Sequence, residues 1–159
     1  MPAIAADGEL VDFVYAEARL IDEKRLEEWY ELFAEDACYW VPLTRGQRSG
    51  RTENSLFFED KLLLKLRIAR LRNPHAYSQD QTSWCQHVLQ APEIEAADPG
   101  RILTRTPFHY AEARGDAMLL LAGVARHELI IVDGAPRIRL KRIDLVNCDA
   151  ALPSIQLFL

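Results

Sequence analysis

The sequence predicts an α+β fold in which amphipathic helices, gathered in the first half of the chain, pack on a strongly bent antiparallel or mixed sheet from the second half. Three observations carry this. Apolar residues recur at helical steps as far as Leu71. From Ser83 onward the period changes to that of long strands, interrupted by turn residues at Asp98-Pro99-Gly100 and Asp133-Gly134. In the last strand the apolar set shifts by one residue, from Ile138 and Leu140 to Ile143 and Leu145, which is the mark of a β-bulge. At 159 residues the chain is read as one domain, residues 1–159.

Each element follows from its own residues. Leu10, Phe13, Val14, Ala18 and Ile21 form the buried stripe of a helix from about Asp7 to Leu20. Asp22 is placed to cap a second helix through the free amides near Arg25, with Leu26, Trp29, Tyr30 and Phe33 inward and Asp36 closing it. Cys38 to Pro42 reads as a short strand, and Thr44 to Asn54, with two glycines and three arginines, as a polar loop. Ser55 to Phe58 is a further short strand. Asp60 then caps a third helix whose core face is Leu62, Leu63, Leu66, Ala69 and Leu71, ended by Asn73-Pro74. Four strands follow, Trp84 to Ala97, Ile102 to Arg114, Met118 to Val132 and Arg137 to Asn147, with the helices covering the concave face of the sheet.

Composition narrows the function. Hydrophobic residues make up 49% and charged residues 27%, a balance that folds. With 19 basic against 24 acidic side chains the net charge is −5, so no positive field is present to hold nucleic acid or an anionic membrane. The longest apolar run, Ala117 to Ala125, falls well short of the ~20 residues of a spanning helix. The beginning of the chain has no basic stretch leading into an apolar signal core. A cytoplasmic location is expected, in keeping with the scattered Cys38, Cys85 and Cys148, which form no disulfide framework.

Catalytic motifs are sparse. The glycines form neither GxGxxG nor GxxxxGK[ST], and GxSxG is absent, so Ser49 and Ser78 have no built-in activation. The segment NPHAYSQDQTSWCQH, residues 73–87, is the exception in density. Cys85-Gln86-His87 is half of a Rieske motif, but the one later cysteine, Cys148, has no histidine after it. His75, Asp80 and His87 make a two-histidine-one-carboxylate set only if something fixes them on one face. Asp36, Asp80, His87, His109 and Tyr110 are the candidates for an acid–base pocket, although His109, between Phe108 and Tyr110, fits a structural histidine better. The apolar stripes Leu26, Trp29, Phe33 and Leu62, Leu66 are read as core rather than as a ligand box.

RLEEWYELFAEDACYWVPL (25–43), LFFEDKLLLKLRIARLRNPHAYSQD (56–80), VDGAPRIRLKRIDL (132–145) and SIQLFL (154–159) stand in an order and spacing that resembles the small (β) subunit of aromatic-ring-hydroxylating dioxygenases. The resemblance covers nearly the whole chain. It implies a nuclear-transport-factor-2-like (cystatin-like) cone and an assembly of three large and three small subunits. It also implies that the Rieske [2Fe–2S] cluster, the mononuclear Fe(II) and the substrate pocket lie in the large (α) subunit, with electrons relayed from NAD(P)H through a reductase and ferredoxin. The small subunit would be structural, sometimes affecting substrate range, with no catalytic, cofactor-binding or metal-binding residue of its own. Relatives commonly carry arginines where Trp84 and Gln86 stand here. Residues 73–87 are then expected to be docking surface, with Tyr77, Gln79, Asp80 and Trp84 as anchors. Two other classes fit the same fold: a free-standing lyase or isomerase with an acid–base pocket, and a small-ligand-binding protein without a partner.

Overall fold

The computed structural model describes residues 5–73, 83–98 and 100–159. Its elements are α1 (Asp7–Asp22), α2 (Leu26–Glu31), β1 (Phe33–Pro42), β2 (Ser55–Asp60), α3 (Lys61–Arg72), β3 (Ser83–Leu89), β4 (Glu93–Asp98), β5 (Arg101–Arg114), β6 (Ala117–Val132) and β7 (Ala135–Leu145). One sheet runs in the order β2-β1-β7-β6-β5-β3, and β4 pairs with the first residues of β5 beyond the end of β3. Every pairing is antiparallel except β1 with β7, so the sheet is mixed.

The predicted bulge is present, and it decides what lies inside the fold. Leu129 faces Ile138 and Glu128 faces Leu140, leaving Arg139 as the extra residue. Beyond it the inward positions are Lys141, Ile143 and Leu145. The slip therefore turns a lysine into the core. Close approach of β6 and β7 past this point needs a glycine: a Cβ on Gly123 would stand 2.4 Å from the Asp144 carbonyl oxygen.

Four sequence expectations are corrected. Asp22 does not cap α2: Ile21 continues the apolar spacing, so α1 includes Asp22. Lys24 at φ +57° then turns the chain, with the Arg25 amide donating to the Leu20 carbonyl. α2 ends at Glu31, because from Phe33 the backbone pairs with β7; Asp36 lies on that strand rather than at a helix end. The strand expected over 84–97 divides into β3 and β4 on either side of 90–92, where Pro92 has no amide to give a ladder.

The fourth correction concerns α3. Asp60 caps it as expected, accepting from the Leu63 amide at 2.9 Å, but its core face is Leu64, Arg67 and Ile68. Leu62, Leu63 and Leu66 are 64%, 46% and 57% exposed, and Ala69 is exposed as well; of the expected stripe only Leu71 packs against the core. Arg67 fixes this rotation of the helix. Its guanidinium pairs with Glu59, donates to the Leu157 carbonyl at 2.8 Å, and lies 4.0 Å from the Phe158 ring and 4.3 Å from that of Phe57.

Arg67 thereby clasps residues 155–159, which run into the interior. Glu112 accepts from the Gln156 and Leu157 amides, the Leu159 amide donates to the Tyr39 hydroxyl at 3.0 Å, and Phe158 packs on Trp29 with ring centroids 4.4 Å apart. Trp29, Phe33, Tyr39 and Phe158 form an aromatic centre where α2, β1 and this tail meet.

Candidate functional site

Two polar clusters lie between the helices and the sheet. The first joins α1 to the edge strand β3. Asp22 accepts from His87 Nδ1 at 2.6 Å, from the His87 amide at 3.1 and 3.0 Å, and from Gln86 Nε2 at 3.0 Å; Cys85 Sγ lies 3.6 Å away. Burial, reinforced by the negative charge of Asp22, pushes the Cys85 thiol up to about 12. The Tyr110 hydroxyl donates to Glu112 at 2.8 Å. Burial first, then the charges of its neighbours, raises the phenol well above its ordinary value.

The second cluster is wholly buried. Glu17 on α1 accepts from Lys141 Nζ at 2.6 Å and from Trp29 Nε1 at 2.7 Å, while His127 Nε2 stands 3.6 Å from its other oxygen. Burial alone would raise the Glu17 carboxyl; the Lys141 charge, with His127 and the hydrogen bonds, outweighs it and holds the group well below the usual carboxylate range. Between the clusters, Glu17, His87, Thr106, His127, Lys141 and Leu159 help to wall a cavity of about 10 Å³, the room of one water molecule.

This arrangement limits the chemistry. An Asp–His pair orients an imidazole as a base requires; on its inner side there is room for no more than a water, and on its outer side Tyr15, Arg19, Asp22, Gln86 and His87 line an open surface cleft of about 570 Å³. Of the acid–base candidates, His87 and Tyr110 come together, with ring centroids 4.9 Å apart, whereas Asp36 pairs with Arg139 at the surface and His109 is exposed. Asp80, His75, Ser78, Tyr77 and Gln79 lie outside the described residues.

Iron fits poorly. Asp22, Cys85 and His87 offer ligand atoms within 4.8 Å of one another, but a Rieske cluster needs two cysteines and two histidines, and the mononuclear set needs a second histidine. Among the described residues neither set forms, and the Asp22 oxygens already serve the His87 and Gln86 donors.

Asp22, Glu17, Glu112, His127 and Lys141 escaped the sequence reading. Glu17 carried a signal, a carboxylate inside the apolar stripe formed by Val14, Ala18 and Ile21. Lys141 carried a weaker one, its place just beyond the bulge. Asp22 carried none, its imidazole partner being 65 residues away, and Glu112 had only the nearby Tyr110 to hint at it, its backbone partner Leu157 lying 45 residues on.

The outer surface contrasts with this closed interior. Cross-strand rows place Trp84, Ala113 and Met118 together, then Gln86, Ala111 and Leu120, then Val88, His109 and Ala122. Trp84, Val88, Leu120 and Met118 are 60–70% exposed, and Val146 is exposed nearby on the chain that follows β7. The Lys24 ammonium lies 3.9 Å over the Trp84 ring. No helix among the described residues is long and apolar enough to cross a membrane.

Comparison with known proteins finds relatives of this chain in both sequence and structure. The small oxygenase component of the p-cumate 2,3-dioxygenase system of Pseudomonas putida is 30% identical over 142 residues, covering 88% of this chain and 79% of that one. The β subunit of benzoate 1,2-dioxygenase from Burkholderia mallei superposes with a TM-score of 0.77 at 24% identity, covering 98% of this chain and 99% of that one. A protein like nuclear transport factor 2 with a cystatin-like fold, from Novosphingobium aromaticivorans, superposes at 0.60 with 13% identity, covering 88% and 81%. The family model described as the ring hydroxylating beta subunit matches residues 16–150, and the chain belongs to that family.

Proposed function

We propose that this chain works by contact. It is the non-catalytic small subunit of a multicomponent aromatic-ring-hydroxylating dioxygenase, and it holds iron-containing large subunits in an assembly of three large and three small chains. The Rieske [2Fe–2S] cluster and the mononuclear Fe(II) belong to the large partner, electrons reach it through ferredoxin and reductase, and the complex works in the cytoplasm. The observation that supports this most directly is the pairing of a filled interior with an apolar outer sheet face built on Trp84, Val88, Met118 and Leu120. Large side chains aligned across neighbouring strands favour burial against another surface over exposure to water.

Trp84 is the anchor on the described part of the segment 73–87, and Tyr77, Gln79 and Asp80 are proposed to extend the same contact. Aromatic anchors at the centre of an interface cost about 2 kcal/mol or more when truncated, roughly thirtyfold in affinity. The test is co-expression with the large subunit and affinity capture, comparing the parent chain with Trp84→Ala and Leu120→Asp. Capture is expected to fall with both variants while each retains its circular dichroism spectrum. Undiminished capture by both removes this surface from the interface, and ring hydroxylation by the purified small chain alone overturns the non-catalytic role.

The Asp22–His87 pair favours a second reading, a free-standing acid–base enzyme. Metal-independent lyase or isomerase turnover by the isolated chain, abolished by His87→Ala, is the result that reading requires.

A further inference from the structure

Among the described residues, one group of three side chains brings metal-ligating atoms together: Asp22, Cys85 and His87, whose ligand atoms lie within 4.8 Å of one another. The strand supplies two of them. Cys85 and His87 are alternate residues of β3, so both turn to its inner face, while Trp84 and Gln86 take the other. Because β3 is an edge strand, the third comes from the helix lying against it, at the last residue of α1. The two carboxylate oxygens are used differently. Oδ2 accepts from the His87 amide and from Gln86 Nε2, both at 3.0 Å, and the amide is shared with Oδ1 at 3.1 Å; these bonds fix the group's orientation. Oδ1 is the atom that His87 Nδ1 meets at 2.6 Å and that Cys85 Sγ approaches at 3.6 Å. A carboxylate here also lacks a cation. It stands at the negative end of the α1 dipole, Glu23 follows it, and among the described residues no lysine or arginine forms an ion pair with it.

We propose that Asp22, Cys85 and His87 form a zinc site, bound through Oδ1, Sγ and Nδ1, that clasps the end of α1 to the edge strand β3. Thiolate, imidazole and carboxylate are the donor types that zinc combines. A tetrahedral ion with bonds of about 2.0–2.3 Å sets its ligands about 3.3–3.6 Å apart. The Oδ1–Sγ distance already has this value, and the Oδ1–Nδ1 distance widens once no proton is shared between the two atoms. On binding, the thiol gives its proton to solvent and the imidazole keeps its own on Nε2. One proton therefore leaves for each ion taken up, and the charge of the cluster rises by one. Asp22 and His87 also wall the open cleft between α1 and β3, from which the ion enters and a water completes the four ligands. The His87 amide and Gln86 then support the ligating carboxylate from behind. The site uses neither iron ligand set, and it stands apart from the docking role of the outer sheet face.

The test uses the full chain, stripped of metal with a chelator and dialysed. It is titrated with zinc chloride in competition with a chromophoric chelator and, separately, with cobalt(II) chloride as a spectroscopic stand-in. One ion per chain is expected, and cobalt should give a thiolate-to-metal charge-transfer band in the near ultraviolet with the strong visible bands of a four-coordinate ion. Cys85→Ser should abolish the charge-transfer band, and Asp22→Asn should weaken zinc binding by about tenfold or more, each variant keeping its circular dichroism spectrum. Zinc should also raise the thermal midpoint of the parent chain and leave that of Cys85→Ser where it was. The parent titration depends on no variant: a chain that holds no zinc against the chelator, or a pale six-coordinate cobalt spectrum, overturns the proposal. So does a charge-transfer band that survives in Cys85→Ser, which would assign the ion to Cys38 or Cys148.

Discussion

Replacing Lys141 by methionine removes the one full positive charge that touches Glu17 while keeping a long apolar side chain in the same groove. Both partners of this pair have side chains only 2% exposed, and the two groups are 2.6 Å apart. After the substitution the carboxylate keeps the Trp29 indole as a donor at 2.7 Å and has His127 only at 3.6 Å. Breaking a buried ion pair from one side costs about 3–5 kcal/mol, because the remaining charge stays desolvated. For a chain of this size that lowers the midpoint by roughly 6–20 °C. The second substitution Glu17→Gln in the same chain removes the stranded charge and leaves an oxygen for Trp29, so Lys141→Met/Glu17→Gln is expected to recover most of the loss.

The pH dependence has a definite sign. In the parent chain Glu17 is held below its ordinary 4.5, so its contribution is full above pH 4.5 and is lost as the pH falls below that value. In Lys141→Met only His127 and the Trp29 donor still oppose burial, the largest influence on the group, so the carboxyl is expected to rise above 4.5, and the penalty is greatest at neutral pH and fades on acidification. The stability gap between the two proteins should therefore close toward pH 4. Urea unfolding followed by circular dichroism across this range is the assay. A loss under about 1 kcal/mol at pH 7, or a double variant as unstable as the single, would refute the buried pair as the organising charge of the interior.

Three further outcomes are expected. Phe158→Ala empties the space beside Trp29 and Tyr39 and should cost about 3–5 kcal/mol in urea unfolding, whereas an exposed tail would lose almost nothing. Gly123→Ala places a methyl against the Asp144 carbonyl, where backbone must move, and should lower stability by about 1–3 kcal/mol; a neutral result would mean β6 and β7 lie further apart than described. Cys85 should resist alkylation at pH 7.5 in the folded chain and react once urea unfolds it. Because the folded thiol titrates near 12 against an ordinary 9.0, its share of stability is present below pH 9 and falls away above it. Rapid labelling of native Cys85 would contradict its half-buried, anion-facing setting.

The layered architecture was legible because it is written in short-range periods: the α1 stripe, the Asp60 cap, the turn at Asp133-Gly134 and the phase slip at Arg139 are all local signals. Where a local rule failed, a distant partner had overruled it. The α3 leucines obey a helical stripe, but Arg67 found Glu59, Leu157 and two aromatic rings on the inner side and set the rotation. Asp22 has the makings of a helix cap, yet its carboxylate is taken by the amide and imidazole of His87. The interior network was illegible for the same reason, since Glu17 and Lys141 are 124 residues apart and meet only after the bulge has turned one toward the other.

The segment 155–159 is gripped by Arg67 from α3, Glu112 from β5 and Tyr39 from β1, and it leaves the ribosome only after every strand of the sheet has been made. Until it arrives, Trp29 and Tyr39 lack the Phe158 ring that covers them, so a partly made chain carries uncovered greasy aromatic surface. Completion of the aromatic centre thus waits on Phe158, whatever order the other elements fold in.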